Sequence, residues 1–246
     1  MPILSSELKK YGALSRPEDD ASASGGGIDA SCVLDVTQLA ANDQLRAVSD
    51  NAADTMNLTI TGRDATGAIV TETKALNGTT PVTFATTFER FLKATLSAAP
   101  AGNVTIERNT SPYDDVVIIP AGKTAASILF IDATSEAVAT TRYEKEFWRN
   151  ENASLTLTNA TVTLTADPSA SIRIGLATAK GDTVSVTNRK TAPAGVTFVD
   201  DSVQQNVPGG SLAANENIGV WIEMSRAADA PAIKSSYTTQ LAGTTV

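Results

Sequence analysis

The residues that could do chemistry in this chain are few, and their spacing rarely suits it. Pro120-Ala121-Gly122-Lys123-Thr124 ends like a phosphate-binding loop. Such a loop needs a glycine five positions before Gly122, so that backbone N–H groups can cradle the phosphates. That position is Val117, inside a strand-like run. The stretch reads as a turn between two strands. Ser6-Glu7-Leu8-Lys9 has the serine–lysine spacing of penicillin-binding enzymes, but the companion motifs are missing and the match is chance.

Three acidic doublets could face a cation: Asp19-Asp20 beside Glu18, Asp114-Asp115 and Asp200-Asp201. A hard cation wants about six or more oxygens, usually several carboxylates from one defined loop, and none of the doublets has that pattern. They read as solvated loop acids or intersubunit salt bridges, and no metal site is assigned. Two carboxylates could also pair for glycoside hydrolysis. Nothing singles out a pair, and aromatics at 5% are too scarce for a sugar-stacking cleft.

The chain contains no histidine. Serine-hydrolase triads, His-ligated zinc and most general-base chemistry near neutral pH use that side chain. The single cysteine, Cys32, allows no thiolate cluster or internal disulfide and reads as a small core residue made in a reducing compartment. A net charge of -8 and a pI near 4.6 would repel phosphate backbones, so no nucleic-acid partner is expected. No cofactor is expected either. The densest apolar run, Ala125 to Ile131, is strand-sized, so no membrane span is expected. The opening residues lack a basic stretch followed by an apolar one, so no secretion signal is read there. Asn-x-Ser/Thr triplets such as Asn57-Leu58-Thr59 and Asn152-Ala153-Ser154 are compositional in a threonine-rich chain.

The elements that must position these residues are strands. Threonine supplies about one residue in eight, and β-branched residues suit a pleated, half-buried surface. Apolar residues alternate with polar ones at Met56, Leu58 and Ile60, at Val104 and Ile106, and at Ile172, Ile174 and Leu176. The same alternation recurs at Val184 and Val186, and at Ile218, Val220, Ile222 and Met224. Turn signals such as Leu76-Asn77-Gly78 separate the runs. The fold class is all-β, as two antiparallel β-sandwich or jelly-roll-like domains with an extended N-terminal arm. Parity allows a hairpin turning at Asn159-Ala160, with Leu157 facing Val162 and Leu155 facing Leu164, or one long bulged strand. Ser5 to Tyr11 is the one helix-like stretch, with Ser5 or Ser6 as its cap.

Residues 1–30 read as a polar arm, 31–131 as the first sandwich and 132–246 as the second. The charged run Arg142 to Arg149 leads into the second sandwich. The glycines of the arm would be mobile unless something holds them. No strict repeat is present. Trp221 has the opposite parity to Val220 and Ile222. It either faces outward as a subunit anchor or is covered by a second sheet.

Three stretches carry a family resemblance. Pro17-Glu18-Asp19-Asp20 followed by Ser24-Gly25-Gly26-Gly27-Ile28-Asp29 resembles the N-terminal signature of a family of tailed-bacteriophage virion structural proteins. Leu58 to Gly67, Glu72-Thr73, Leu76 to Val82 and Phe88 resemble its body. The third stretch is Arg189 to Gly195, with Ile218-Gly219-Val220-Trp221 and Ala230-Pro231-Ala232. The resemblance implies no catalytic residues. It implies a virion component made in the host cytoplasm, and the further expectation is a head decoration (cement) protein on the capsid exterior. Its partners would be the major capsid protein and itself, as a homotrimer or homodimer. Contacts would come from Pro17, Glu18, Asp19, Asp20, Gly25, Gly26, Gly27, Asp29 and Trp221. A tail, tail-tube or neck component is the rival within the class, and an adhesion or carbohydrate-binding module the rival outside it.

Overall fold

A computed structural model describes residues 2–131, 136–167, 171–230 and 236–245. The chain is all-β, as its β-branched composition and period-two patterning predict. It divides into two compact units. One comprises residues 30–128, and the other joins residues 1–29 to residues 129–246. The expected boundary after Ile131 runs into residues outside the described ones.

The unit of residues 30–128 has two sheets. The first contains β4 (Asn57–Arg63), β5 (Ile69–Ala75), β7 (Arg90–Leu96) and β10 (Ala125–Ser127), in the order β10-β7-β4-β5. β10 also pairs in parallel with Cys32 and Val33, at the end of β2 (Ser24–Val33). The second sheet has the order β6-β3-β8-β9, from β3 (Asp43–Ser49), β6 (Val82–Phe88), β8 (Val104–Arg108) and β9 (Asp115–Ile119). Leu58 and Ile60 are fully buried while their neighbours are not, as the alternation predicts. Phe84, Phe88, Phe91, Leu45 and Ile106 complete the same core, and Cys32 lies in it.

One buried carboxylate closes the loops of this unit. Asp54 accepts hydrogen bonds from the Ser49 hydroxyl (2.6 Å) and from the backbone N–H groups of Ala101 (2.8 Å) and Gly102 (3.0 Å). The Gly122-Lys123 stretch is a turn between β9 and β10, with Gly122 at φ 76° and open space where a Cβ would stand. That is the turn read from the sequence.

The second unit holds β1 (Leu8–Ser15), the start of β2, β11 (Thr140–Asn150), β13 (Ile172–Lys180) and β17 (Asn217–Arg226) in the order β13-β17-β11-β1-β2. β14 (Ser185–Val186) pairs with β2. Its second sheet centres on β12 (Leu157–Ala166). β12 pairs with β18 (Thr238–Thr245) and, along its other edge, with β15 (Gln205–Asn206) and β16 (Ser211–Leu212).

Three expectations change here, and one open alternative is decided in favour of the bulged strand. Residues 1–30 are not an extended arm, because β1 pairs with β11 over five residues and β2 carries the glycines. Ser5 to Tyr11 gives a single 3-10 turn, Ser5–Glu7, whose Glu7 carboxylate accepts from the Leu4 N–H (2.7 Å); strand pairing claims Leu8 onward. Asn159-Ala160 does not turn the chain. β12 is one strand with an irregularity between Thr158 and Thr161, and Asn159 takes φ 50° there. Val184 is exposed while Val186 is buried, because Val184 precedes β14 and turns its carbonyl inward.

An edge of the smaller unit is closed by a side chain. Glu72 of β5 accepts hydrogen bonds from the backbone N–H groups of Ala85 (3.0 Å) and Thr86 (2.7 Å) on β6, the terminal strand of its sheet. A carboxylate thus stands in for a neighbouring strand. Glu72→Ala removes the acceptor for two amides and is expected to cost about 1–3 kcal/mol in urea denaturation, with the folded protein retained.

Candidate functional site

The charged run Arg142 to Arg149 is the middle of β11, which lies between β1 and β17 and pairs with β17 over ten residues. Strand geometry sends alternate side chains to opposite faces. Arg142, Glu144, Glu146 and Trp148 share one face; Tyr143, Lys145, Phe147 and Arg149 share the other. Arg142, Glu144, Lys145 and Glu146 are all at most 1% exposed. Charges so deep need partners matched to them, because an unmatched ion in the interior costs several kcal/mol.

On the first face the match comes from Asp20. Arg142 grips its carboxylate with two parallel bonds, Nε to Oδ1 and Nη2 to Oδ2, both 2.7 Å. Arg189 donates to Oδ1 (2.5 Å), and Lys190 Nζ lies 3.0 Å from Oδ2. Arg142 and Arg189 are each 1% exposed in their side chains. Glu136 balances the same cations, accepting from Arg142 (2.6 Å) and lying 2.8 Å from Lys190 Nζ. Arg189 also donates to the carbonyls of Ile131 (2.7 Å) and Pro17 (3.4 Å) and to Glu144 (3.3 Å). The Arg142 bonds, followed by those from Arg189 and Lys190, hold the Asp20 carboxyl far below the usual carboxylate range despite its partial burial. Glu144 goes the other way. Burial pushes it up to about 7, against the Phe130 N–H and Arg189.

Farther along this face, Glu146 accepts from Tyr237 (3.1 Å) and Thr239 (2.5 Å), and the Trp148 indole donates to Thr239 (3.1 Å). The row therefore runs from a salt-bridge cluster into a chain of hydroxyl contacts.

On the opposite face Lys145 is the hub. Its ammonium donates to the Gly26 and Val184 carbonyls, each at 3.1 Å, and to the Asp182 carboxylate. It lies 5.0 and 5.2 Å from the ring centres of Phe147 and Trp221. Burial lowers the Lys145 pKa, and Asp182 opposes that shift. Gly25 takes φ 97°, and a Cβ there would come within 2.5 Å of the Trp221 ring and 2.9 Å of the Val184 carbonyl. Only glycine lets the backbone lie on the indole in this way. Gly26 then donates its N–H to the Val184 carbonyl at 2.9 Å.

The residues expected to contact partners separate accordingly. Pro17 is buried and Asp20 is taken up by three cations. Glu18 and Asp19 are exposed, and Asp19 folds the turn by accepting from the N–H groups of Ala21 and Ser22, both 2.8 Å. Gly25 is buried. Gly26 and Gly27 are half-buried beside Leu14, and Asp29 pairs with Arg16 at 2.9 Å. Trp221, at 1% exposure, is covered within its own unit and is not an outward anchor. Of the other doublets, Asp114 pairs with Arg108 at 2.9 Å, and Asp200 and Asp201 are exposed in a turn. Among the described residues no group of three acidic, His or Cys side chains could hold a metal ion.

The residues that sequence reasoning missed are Arg142, Glu144, Lys145 and Glu146. Their signal was the mixing of these charges with Tyr143, Phe147 and Trp148 in one strand, whose charged positions at 142 and 144–146 are buried on both faces.

Comparisons with known protein families, curated proteins and solved structures find no match.

Asp20→Asn weakens the charge match for two buried guanidinium groups and is expected to destabilise the unit by about 3 kcal/mol in chemical denaturation. Glu144 imposes a pH dependence. Its folded pKa lies above that of the unfolded chain, so the folded state holds a proton that the unfolded state has lost between about pH 4.5 and 7. The stability contributed by that proton is full below this window and falls by roughly 3 kcal/mol on rising through it. Glu144→Gln is expected to flatten the slope in denaturation curves recorded across the window.

Proposed function

We propose that this chain is a bacteriophage virion structural protein, a head decoration (cement) protein that binds the major capsid lattice and stabilises it. One observation carries the reading. Pieces of two separate stretches that resemble the virion family meet on the two faces of β11. Asp20 from the first meets Arg189 and Lys190 from the third, and Gly25 from the first lies on Trp221 from the third. Residues 231 and 232 of the third stretch are outside the described residues.

The chemistry of the site agrees with a binding role. Its polar groups are directed at other groups of the same chain and hold a surface in shape. A protein that binds only the assembled shell stabilises that shell by mass action, in proportion to its occupancy. The partners proposed are the major capsid protein and further copies of this chain, on the exterior of the particle.

Residues 1–29 are also built into the fold of their own unit. Removing residues 1–29 would take β1 from the edge of β11 and Asp20 from Arg142, so that deletion reports on folding before it reports on capsid binding. The contact surface of this segment is its exposed part, Glu18, Asp19 and Ala21 to Ala23.

The decisive measurement is quantitative mass spectrometry of purified particles. A decoration protein is expected at hundreds of copies per particle, and its removal is expected to lower the temperature at which the shell opens. A few copies per particle would place the chain at a neck or tail. Absence from particles would overturn the virion reading.

A further inference from the structure

β18 is the terminal strand of its sheet. It pairs with β12 from Leu157 to Ala166, and among the described residues no strand pairs with its other edge. Two other edges among the described residues are engaged by side chains or a bridge. Glu72 occupies two amides of β6. β13 is closed by the bridge between Ile174 and Val199, by the Leu176 N–H bond to the Gln205 carboxamide (3.3 Å) and by the Gln205 amide bond to the Ile174 carbonyl (2.9 Å).

β18 lacks two of the usual guards, charge and proline. Its sequence, Thr238-Thr239-Gln240-Leu241-Ala242-Gly243-Thr244-Thr245, has no charge and no proline. Unguarded edges of this length template pairing with another strand.

We propose that β18 is a self-association edge, pairing antiparallel with β18 of a second copy of this chain about a two-fold axis at Leu241. The strand's own sequence selects that occupant. Continuing the sheet with the same face inward requires opposed residues of equal parity. Centring on Leu241 satisfies this: Thr238 lies opposite Thr244 of the second copy, Gln240 opposite its Ala242, and Leu241 opposite its own counterpart. Thr238, Gln240 and Thr244 are exposed, while Leu241 is 5% exposed on the core side. The pairing therefore sets hydroxyl against hydroxyl outside and leucine against leucine inside.

The same chain already uses that hydroxyl match between neighbouring strands. Thr158 and Thr244 approach to 2.9 Å across β12 and β18, and Thr59 and Thr73 to 2.8 Å across β4 and β5. No like charges oppose one another in the paired arrangement, and the two-fold operation closes it as a dimer.

The test is sedimentation equilibrium of the full chain, with two lysine variants. Gln240→Lys puts like charges on both sides of the axis and is expected to raise the dimer dissociation constant at least about tenfold. Thr163→Lys lies opposite Gln240 on the interior strand β12, away from the open edge, and is expected to leave the constant unchanged. Thermal unfolding of both variants checks that each remains folded. A wild-type chain that is monomeric at about 100 µM overturns the proposal, as does an oligomer that responds equally to both variants. Enrichment in virus particles is measured separately, so a monomer that still enriches there would end the edge pairing and leave the capsid reading standing.

Discussion

Four charged side chains buried on one strand set the terms for the rest of the larger unit. Arg142, Glu144, Lys145 and Glu146 could not stay in the interior of β11 without matched partners. Those partners come from far along the chain: Asp20 and Gly26 from one side, Asp182, Arg189, Tyr237 and Thr239 from the other. Each contact is directional, so segments that return to β11 must do so in one register. That is why a glycine-rich stretch with little apolar content is ordered at all. Gly25 to Gly27 bury almost nothing of their own. They are held by the Lys145 ammonium, by the Val184 carbonyl and by the face of Trp221.

What could be read in the sequence was local, and what could not was the pairing of distant charges. The alternation at Leu58 and Ile60 or at Ile172 and Ile174 depends only on the pleat, and those residues are buried as their parity predicts. Gly122 was legible as a turn for the same reason. The run Arg142 to Arg149 was legible only as a charged entry to the second sandwich; charge ordinarily marks a solvated face, whereas here both faces of the strand are covered. Asp20 and Arg189 stand 169 residues apart, and no spacing rule connects them. Trp221 shows the same limit. Parity set it opposite Val220, but whether that face meets solvent depended on where Gly25 returned. Asn159-Ala160 failed as a turn because cross-strand pairing with β18 continues beyond it, and a single residue at positive φ absorbs the misfit.

The two hubs also divide the work of stabilisation by pH. Asp20 is held ionised by its cations, so its contribution persists through neutral pH and fades only in acid. Glu144 is raised by burial and contributes most when protonated. The window in which both favour the folded state is therefore mildly acidic. Buried ion pairs add little net stability over an apolar core, but a mismatch among them is costly. Their use here fits a segment whose position matters more than its strength.

A raised carboxyl pKa in a cleft is often a sign of acid–base chemistry. Glu144 has the shift without the cleft. It is 1% exposed on a strand flanked on both sides, and Arg189, itself 1% exposed in its side chain, bonds to it. A substrate could reach the carboxyl only by displacing the contacts that hold residues 17–20 in place, since Arg189 bonds to Pro17 and Asp20 as well. The perturbation thus follows from covering a charged strand and gives no separate sign of catalysis. What the cluster presents to solvent is the turn above it, in which Glu18, Asp19 and Ala21 to Ala23 are exposed and Asp19 fixes the backbone. A fixed shape at a surface favours binding, because ordering that segment on contact would subtract from every bond made.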